Sequence, residues 1–139
     1  MLSVSNTVIR ILYQMDAHVS TLKSDKPKET MIRRRPASRR SHETIAIEHE
    51  GQRYKVGLGR ELFCIECGML GPIVEVFLNA QKVNSPIDVL VSDGAILISM
   101  LIQHGCPPAD IARAMKRNPD GSPSSPLGRA AAFLVEGER

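Results

Sequence analysis

The sequence predicts an α+β fold, with an antiparallel sheet of three to four strands packed on one long helix and two shorter helices closing the C-terminal part. Three observations predict it. Between Glu43 and Leu58 apolar residues recur at every second position on either side of a Glu50-Gly51 turn. Ile73 to Leu78 is a short apolar run bounded by turn residues. From Ser85 onward the period becomes helical and holds until Gly105.

Composition narrows the class. At 139 residues the chain is expected to form one domain with a real core. With 4% aromatic residues and no Trp, that core must be packed from Ile, Leu, Val, Met and Ala. The net charge of +3 is unevenly placed, since the cations concentrate before residue 41, which suggests a basic arm on a near-neutral domain. Three cysteines, with no secretion signal ahead of them, suit a reducing compartment, and a cytoplasmic location is expected.

The first segment, residues 1–31, is expected to be a mobile leader. Val8, Ile9, Ile11 and Leu12 can seed a short amphipathic helix, but beyond Ala17 the composition turns polar and charged, and Thr21 to Thr30 cannot bury enough apolar surface to offset the entropy of ordering. Met31 is a candidate second start. The basic arm, residues 32–42, carries Arg33, Arg34, Arg35, Arg39 and Arg40 with no aromatic residue between them. These arginines are candidates for phosphate or nucleic-acid contact, because each phosphate neutralised releases condensed counterions. The alternative is a solvated charged tail, since no stacking residues or nucleic-acid fold accompany it.

In the hairpin, Ile45, Ile47 and His49 share one parity on the first strand and Tyr54, Val56 and Leu58 share one on the return. His49 reads as a strand-end residue rather than a ligand. Leu62 to Leu70 is apolar and predicts a third strand, stopped by Gly68 and Gly71-Pro72 before Ile73 to Leu78 forms the next. Cys64 and Cys67 stand there at a two-residue spacing. They are weak metal candidates, since one such pair is half a zinc site. Redox chemistry would want the pair at a helix start. Small apolar core residues are the plainer reading of both.

The long helix has Ser85 as cap, Pro86 in its first turn and Asp88 where the macrodipole favours an acid. Ile87, Leu90, Val91, Gly94, Ile98, Leu101 and Ile102 fall on one side, and Val89, Ile96, Leu97 and Met100 make most of the remaining circumference apolar. Burial on more than one side is therefore expected. Asp88, Asp93 and Gln103 interrupt the apolar run well short of the about 18 residues that a membrane span requires. After Cys106-Pro107-Pro108, a short helix is outlined by Asp110, Ile111, Ala114 and Met115 and closed by Lys116 and Arg117. A last helix starts with Ser125 as cap and Pro126 in the first turn, and docks through Leu127, Ala131 and Leu134. Ser124, Ser125 and Arg129 at its start are candidates for holding a phosphate or other anion.

Several of these residues together carry a family likeness. The run Glu75-Val76-Phe77-Leu78-Asn79-Ala80, then Lys82, Ser85, the helix ending in Gln103-His104-Gly105, a proline-led second helix, and the tail from Asn118 to Gly128 (NPDGSPSSPLG) resemble the TSCPD domain. That domain is found near the C-terminus of adenosylcobalamin-dependent ribonucleotide reductases and as short stand-alone bacterial proteins, which likewise tend to open with an arginine-rich segment and a hairpin. The similarity covers roughly Ile32 to Leu134 and is best in the second half. Glu61 to Gly71, which holds Cys64 and Cys67, departs from it, because relatives usually have a short polar turn there.

The resemblance implies an accessory or binding module linked to deoxyribonucleotide and DNA-precursor metabolism, over residues 43–135. Ribonucleotide reduction needs a large barrel holding a radical cysteine, a reducing pair and the substrate, and the cobalamin enzyme adds a cofactor site. This chain is too short for them. No catalytic residue is carried over, and no cofactor is expected in the isolated chain. The implied partners are a reductase subunit, a second copy of the chain or a nucleotide, with no membrane. Two rivals from other classes are a small nucleic-acid-binding protein using the arginine arm, and a metal or thiol redox protein using Cys64 and Cys67.

Overall fold

The structure, a computed structural model, describes residues 32–136. The expected leader lies outside the described residues. In chain order the elements are β1 (Ser41–His49), β2 (Gln52–Cys64), β3 (Met69–Ala80), α1 (Pro86–Gln103), α2 (Pro108–Ala114) and α3 (Pro126–Glu136). The strands form one antiparallel sheet in the order β1-β2-β3, so the fold is the α+β arrangement that the periodicities predict.

The β1–β2 turn follows from Glu50 and Gly51, which take φ of 51° and 74°. Two successive left-handed residues give the primed turn whose twist matches a hairpin. This fixes the register: Ile47 pairs with Tyr54 and Ile45 with Val56. On β3 the same layer continues, as Tyr54 pairs with Ala80, Val56 with Leu78 and Leu58 with Val76. These residues form the sheet side of the core, and Val91, Ala95 and Ile98 of α1 with Ala130, Ala131 and Leu134 of α3 close over it.

One expectation fails in the middle of the chain. Leu62 to Leu70 is not a separate strand stopped by Gly71-Pro72. β2 runs on to Cys64, turns through residues 65–68, and β3 passes straight through Gly71 and Pro72. Pro72 is tolerated because β3 is an edge strand, where a missing N–H need not break a ladder. Gly71 is a close approach, since a Cβ there would lie 3.1 Å from the Glu61 carbonyl oxygen. Register shifts between Gly59 and Cys64 absorb the irregularity.

The helix starts agree with the sequence. Ser85 accepts a hydrogen bond from the Asp88 N–H at the start of α1, and Ser125 accepts from the Gly128 N–H at the start of α3. Leu127 of α3 nests on Gly94 of α1, where a Cβ would come within 2.3 Å of the leucine side chain. Only glycine permits that crossing distance.

Candidate functional site

The setting of α1 is decided by polar residues rather than apolar ones. Asp88, Ser92, Ser99 and Gln103 recur along one side of the helix, and each reaches the backbone of β3. Asp88 accepts from the Ala80 N–H and the Asn84 N–H, both at 2.8 Å. Ser92 donates to the Leu78 carbonyl at 3.0 Å. The Ser99 hydroxyl accepts from the Val76 N–H at 2.8 Å and has the carbonyls of Val76 and Ala95 each 3.0 Å away for its own proton. Gln103 donates to the Val74 carbonyl at 3.0 Å. An edge strand presents unpaired backbone groups to solvent, and here a row of side chains covers them. The N–H groups of Asn84 and Ala80 hold the Asp88 carboxyl below its usual 3.8.

That arrangement overturns the expectation that α1 is buried on more than one side. Asp88, Val91, Ala95, Ile98, Ser99 and Gln103 are buried, whereas Leu90, Leu97 and Leu101 are 66%, 62% and 46% exposed. Val89, Ile96 and Met100 are exposed beside them. The physical reason is geometric: once the polar side is fixed on β3, the opposite side faces away from the sheet and meets α3 at Gly94, where Leu127 packs, while Leu90, Leu97 and Leu101 beside that contact stay exposed. By length and a mean hydropathy of 1.5, Pro86–Gln103 is apolar enough to cross a membrane, although the longest unbroken apolar run is shorter. The ladder to β3 opposes that role, because insertion would strip hydrogen bonds from buried groups on both elements.

The basic arm is partly built into the domain. Arg33 Nε donates to the Gln103 side-chain oxygen at 2.7 Å and the Arg34 backbone N–H to the Gln103 carbonyl at 2.8 Å. This caps the C-terminal end of α1 with cationic residues, where the macrodipole favours them. Arg34 also lies 4.0 Å from the Glu61 carboxylate, and Arg40 pairs with Glu75 at 2.9 Å. Arg35 and Arg39 are exposed. The candidate residues of the arm thus fall on different faces.

At the start of α3 the Ser125 hydroxyl is engaged with its own helix, Arg129 is exposed, and the Ser124 hydroxyl oxygen is buried without a hydrogen-bond partner. Before it, Asp120 accepts from the backbone and hydroxyl of Ser122, contacts that lower its pKa. This shapes the Asp120-Gly121-Ser122 turn.

The sheet side facing away from α1 carries a hollow of about 440 Å³ bounded by Arg40, His42, Glu75, Phe77 and Asn79. Gly59 of β2 lines it, and Gly57 lies two residues before on the same strand face. A Cβ at Gly57 would lie 2.7 Å from the His42 ring and 3.3 Å from Phe77 Cβ, and one at Gly59 3.2 Å from Glu75. His42 and Phe77, with ring centroids 5.6 Å apart, therefore cover the glycines from neighbouring strands.

Cys64 and Cys67 are not core residues, which corrects the plainer sequence reading. Cys64 ends β2 half-buried, Cys67 is exposed in the turn, and the two are joined as a disulfide with Cα atoms 5.5 Å apart. The apolar character of this segment belongs to a hairpin tip and not to the interior: Phe63, Ile65, Met69 and Leu70 are exposed. Among the described residues no cluster of three or more His, Cys, Asp or Glu side chains is placed to hold a metal.

Sequence reasoning missed the outward side of α1 as a surface feature. The available signal was its lack of a polar side other than the residues bonded to β3. No family model, curated protein or solved structure matches the chain.

Proposed function

We propose that this chain is a cytoplasmic interaction module of the TSCPD type, acting in deoxyribonucleotide metabolism by docking on a ribonucleotide reductase chain rather than by performing chemistry itself. The observation that carries the docking role is the outward side of α1. Leu90, Leu97, Leu101, Ile96 and Met100 lie together around the exposed Asp93 on a capped helix, and exposed apolar surface of this kind marks protein contact. Leu90 and Leu97 are one heptad apart, the spacing with which a helix presents a seam to another helix or a groove. The reductase as partner rests on the resemblance of the EVFLNA strand, the QHG helix end and the DGSPSSPLG tail.

The nucleic-acid alternative draws less support from the geometry, because Arg33 and Arg40 are engaged with Gln103 and Glu75. Affinity capture with the full chain from its source cell tests both readings. The expected result is co-purification of a reductase chain that persists at raised salt and is lost in Leu97→Glu. Recovery of nucleic acid alone, with binding that falls steeply as salt rises, would replace this reading with the alternative.

A further inference from the structure

We propose that the β2–β3 hairpin tip is half of a zinc-type metal site, completed by the same tip of a second copy, so that Cys64 and Cys67 of each chain supply four thiolates to one divalent ion. The tip has the backbone that such a chelate needs. Cys64, Ile65, Glu66, Cys67 and Gly68 form the turn, and Gly68 takes φ of 66° with nothing within 4 Å of where a Cβ would lie. Glycine is thus required there by the left-handed turn rather than by packing. The Cys67 N–H points at the Cys64 sulfur at 3.1 Å. An amide aimed at sulfur favours the thiolate, which is the form that binds metal.

The bridge has little structural work at this position. It links residues three apart, at the end of strands already paired from Arg60 with Ile73 to Cys64 with Met69, and closing so short a loop constrains the unfolded chain little. Cys67 is exposed and Cys64 half-buried, so reductant and metal can reach the bridge from the Cys67 side.

In the reduced chain the two thiols can chelate on one side, but a closed tetrahedral site takes four ligands, and among the described residues no third His, Cys, Asp or Glu is placed to join them as a ligand. A two-fold axis through the ion supplies the missing pair. Phe63, Ile65, Met69 and Leu70, between 51% and 67% exposed, flank the cysteines along the hairpin tip and would be covered by their own counterparts, as an isologous contact requires. An external thiol reductant first breaks the Cys64–Cys67 bridge of each chain, itself being oxidised to a disulfide as two electrons and two protons pass to the cysteine sulfurs. Formation of the site then releases one proton from each of the four thiols to solvent with no further change of oxidation state.

The test uses the full chain, reduced with a phosphine and freed of metal, titrated with zinc and separately with cobalt. The expected result is about 0.5 ion bound per chain, a doubling of mass by light scattering that a chelator reverses, and the visible absorption of tetrahedral cobalt thiolate. Cys64→Ser with Cys67→Ser should abolish all three signals with an unchanged circular dichroism spectrum, since the tip lies outside the core. Met69→Glu, which keeps both thiols, should weaken the metal-dependent doubling at least tenfold. One ion per monomeric chain, no binding at micromolar zinc, or a dimer indifferent to metal and to the cysteines would each overturn the proposal. None of these outcomes bears on docking through α1, which the Leu97→Glu capture decides.

Discussion

The two sides of α1 invert the usual amphipathic helix. Asp88, Ser92, Ser99 and Gln103 lie toward β3, and Leu90, Leu97 and Leu101 lie toward solvent. A surface helix normally places its polar residues outward because water satisfies them. Here they satisfy the edge of a sheet, and the apolar residues left outside are available to a partner. The side on which a polar residue falls thus reports where unpaired backbone lies, and solvent is only the commonest place to find it.

Substitutions on the two sides should separate stability from binding. The largest loss of stability is expected from Ile98→Ala, which empties a site 2% exposed and should cost about 2–5 kcal/mol in denaturant unfolding. Next comes Ser99→Ala, which leaves the Val76 N–H without its buried acceptor and should cost about 1–3 kcal/mol. If this variant proved neutral, the ladder would not be what sets the helix.

A pH series sharpens the same point at Asp88. Its carboxyl is held below its usual 3.8 by the N–H groups of Asn84 and Ala80, so the unfolded chain takes up the proton at higher pH than the folded one. The contribution of Asp88 is therefore complete above the unfolded value and is lost as pH falls from there through the folded value. Unfolding midpoints should decline in that acid range, and Asp88→Asn should flatten part of the decline. The smallest effect on stability is expected on the outer side: Leu97→Glu should change the unfolding free energy by no more than about 0.5 kcal/mol while removing the captured partner. Strong destabilisation by this change would show that Leu97 is packed after all.

Much of this architecture was legible in the chain. Alternation about Glu50-Gly51 located the first hairpin and its register, and Ser85 and Ser125 marked the helix starts, because turns and caps depend on neighbours in sequence. What was not legible depends on partners distant in sequence. Gly71-Pro72 looked like a strand end, but its cost vanishes on an edge strand. The cysteines looked like core residues because their apolar neighbours were assigned to the interior. Arg33 looked like part of a free arm, since its contact with Gln103 spans 70 residues. The outer side of α1 was read as buried because hydrophobicity alone does not say which side a sheet will take.

The covered edge also makes growth of the sheet one-sided. With the Val76 and Ala80 amides and the Val74 and Leu78 carbonyls already engaged, an incoming extended segment finds no vacant register along the Val74 to Ala80 part of β3. Among the described residues no backbone hydrogen bond crosses the far margin of β1. Any strand borrowed from another polypeptide would join there, directly after the arginine segment, giving this small domain a closed flank and a receptive one.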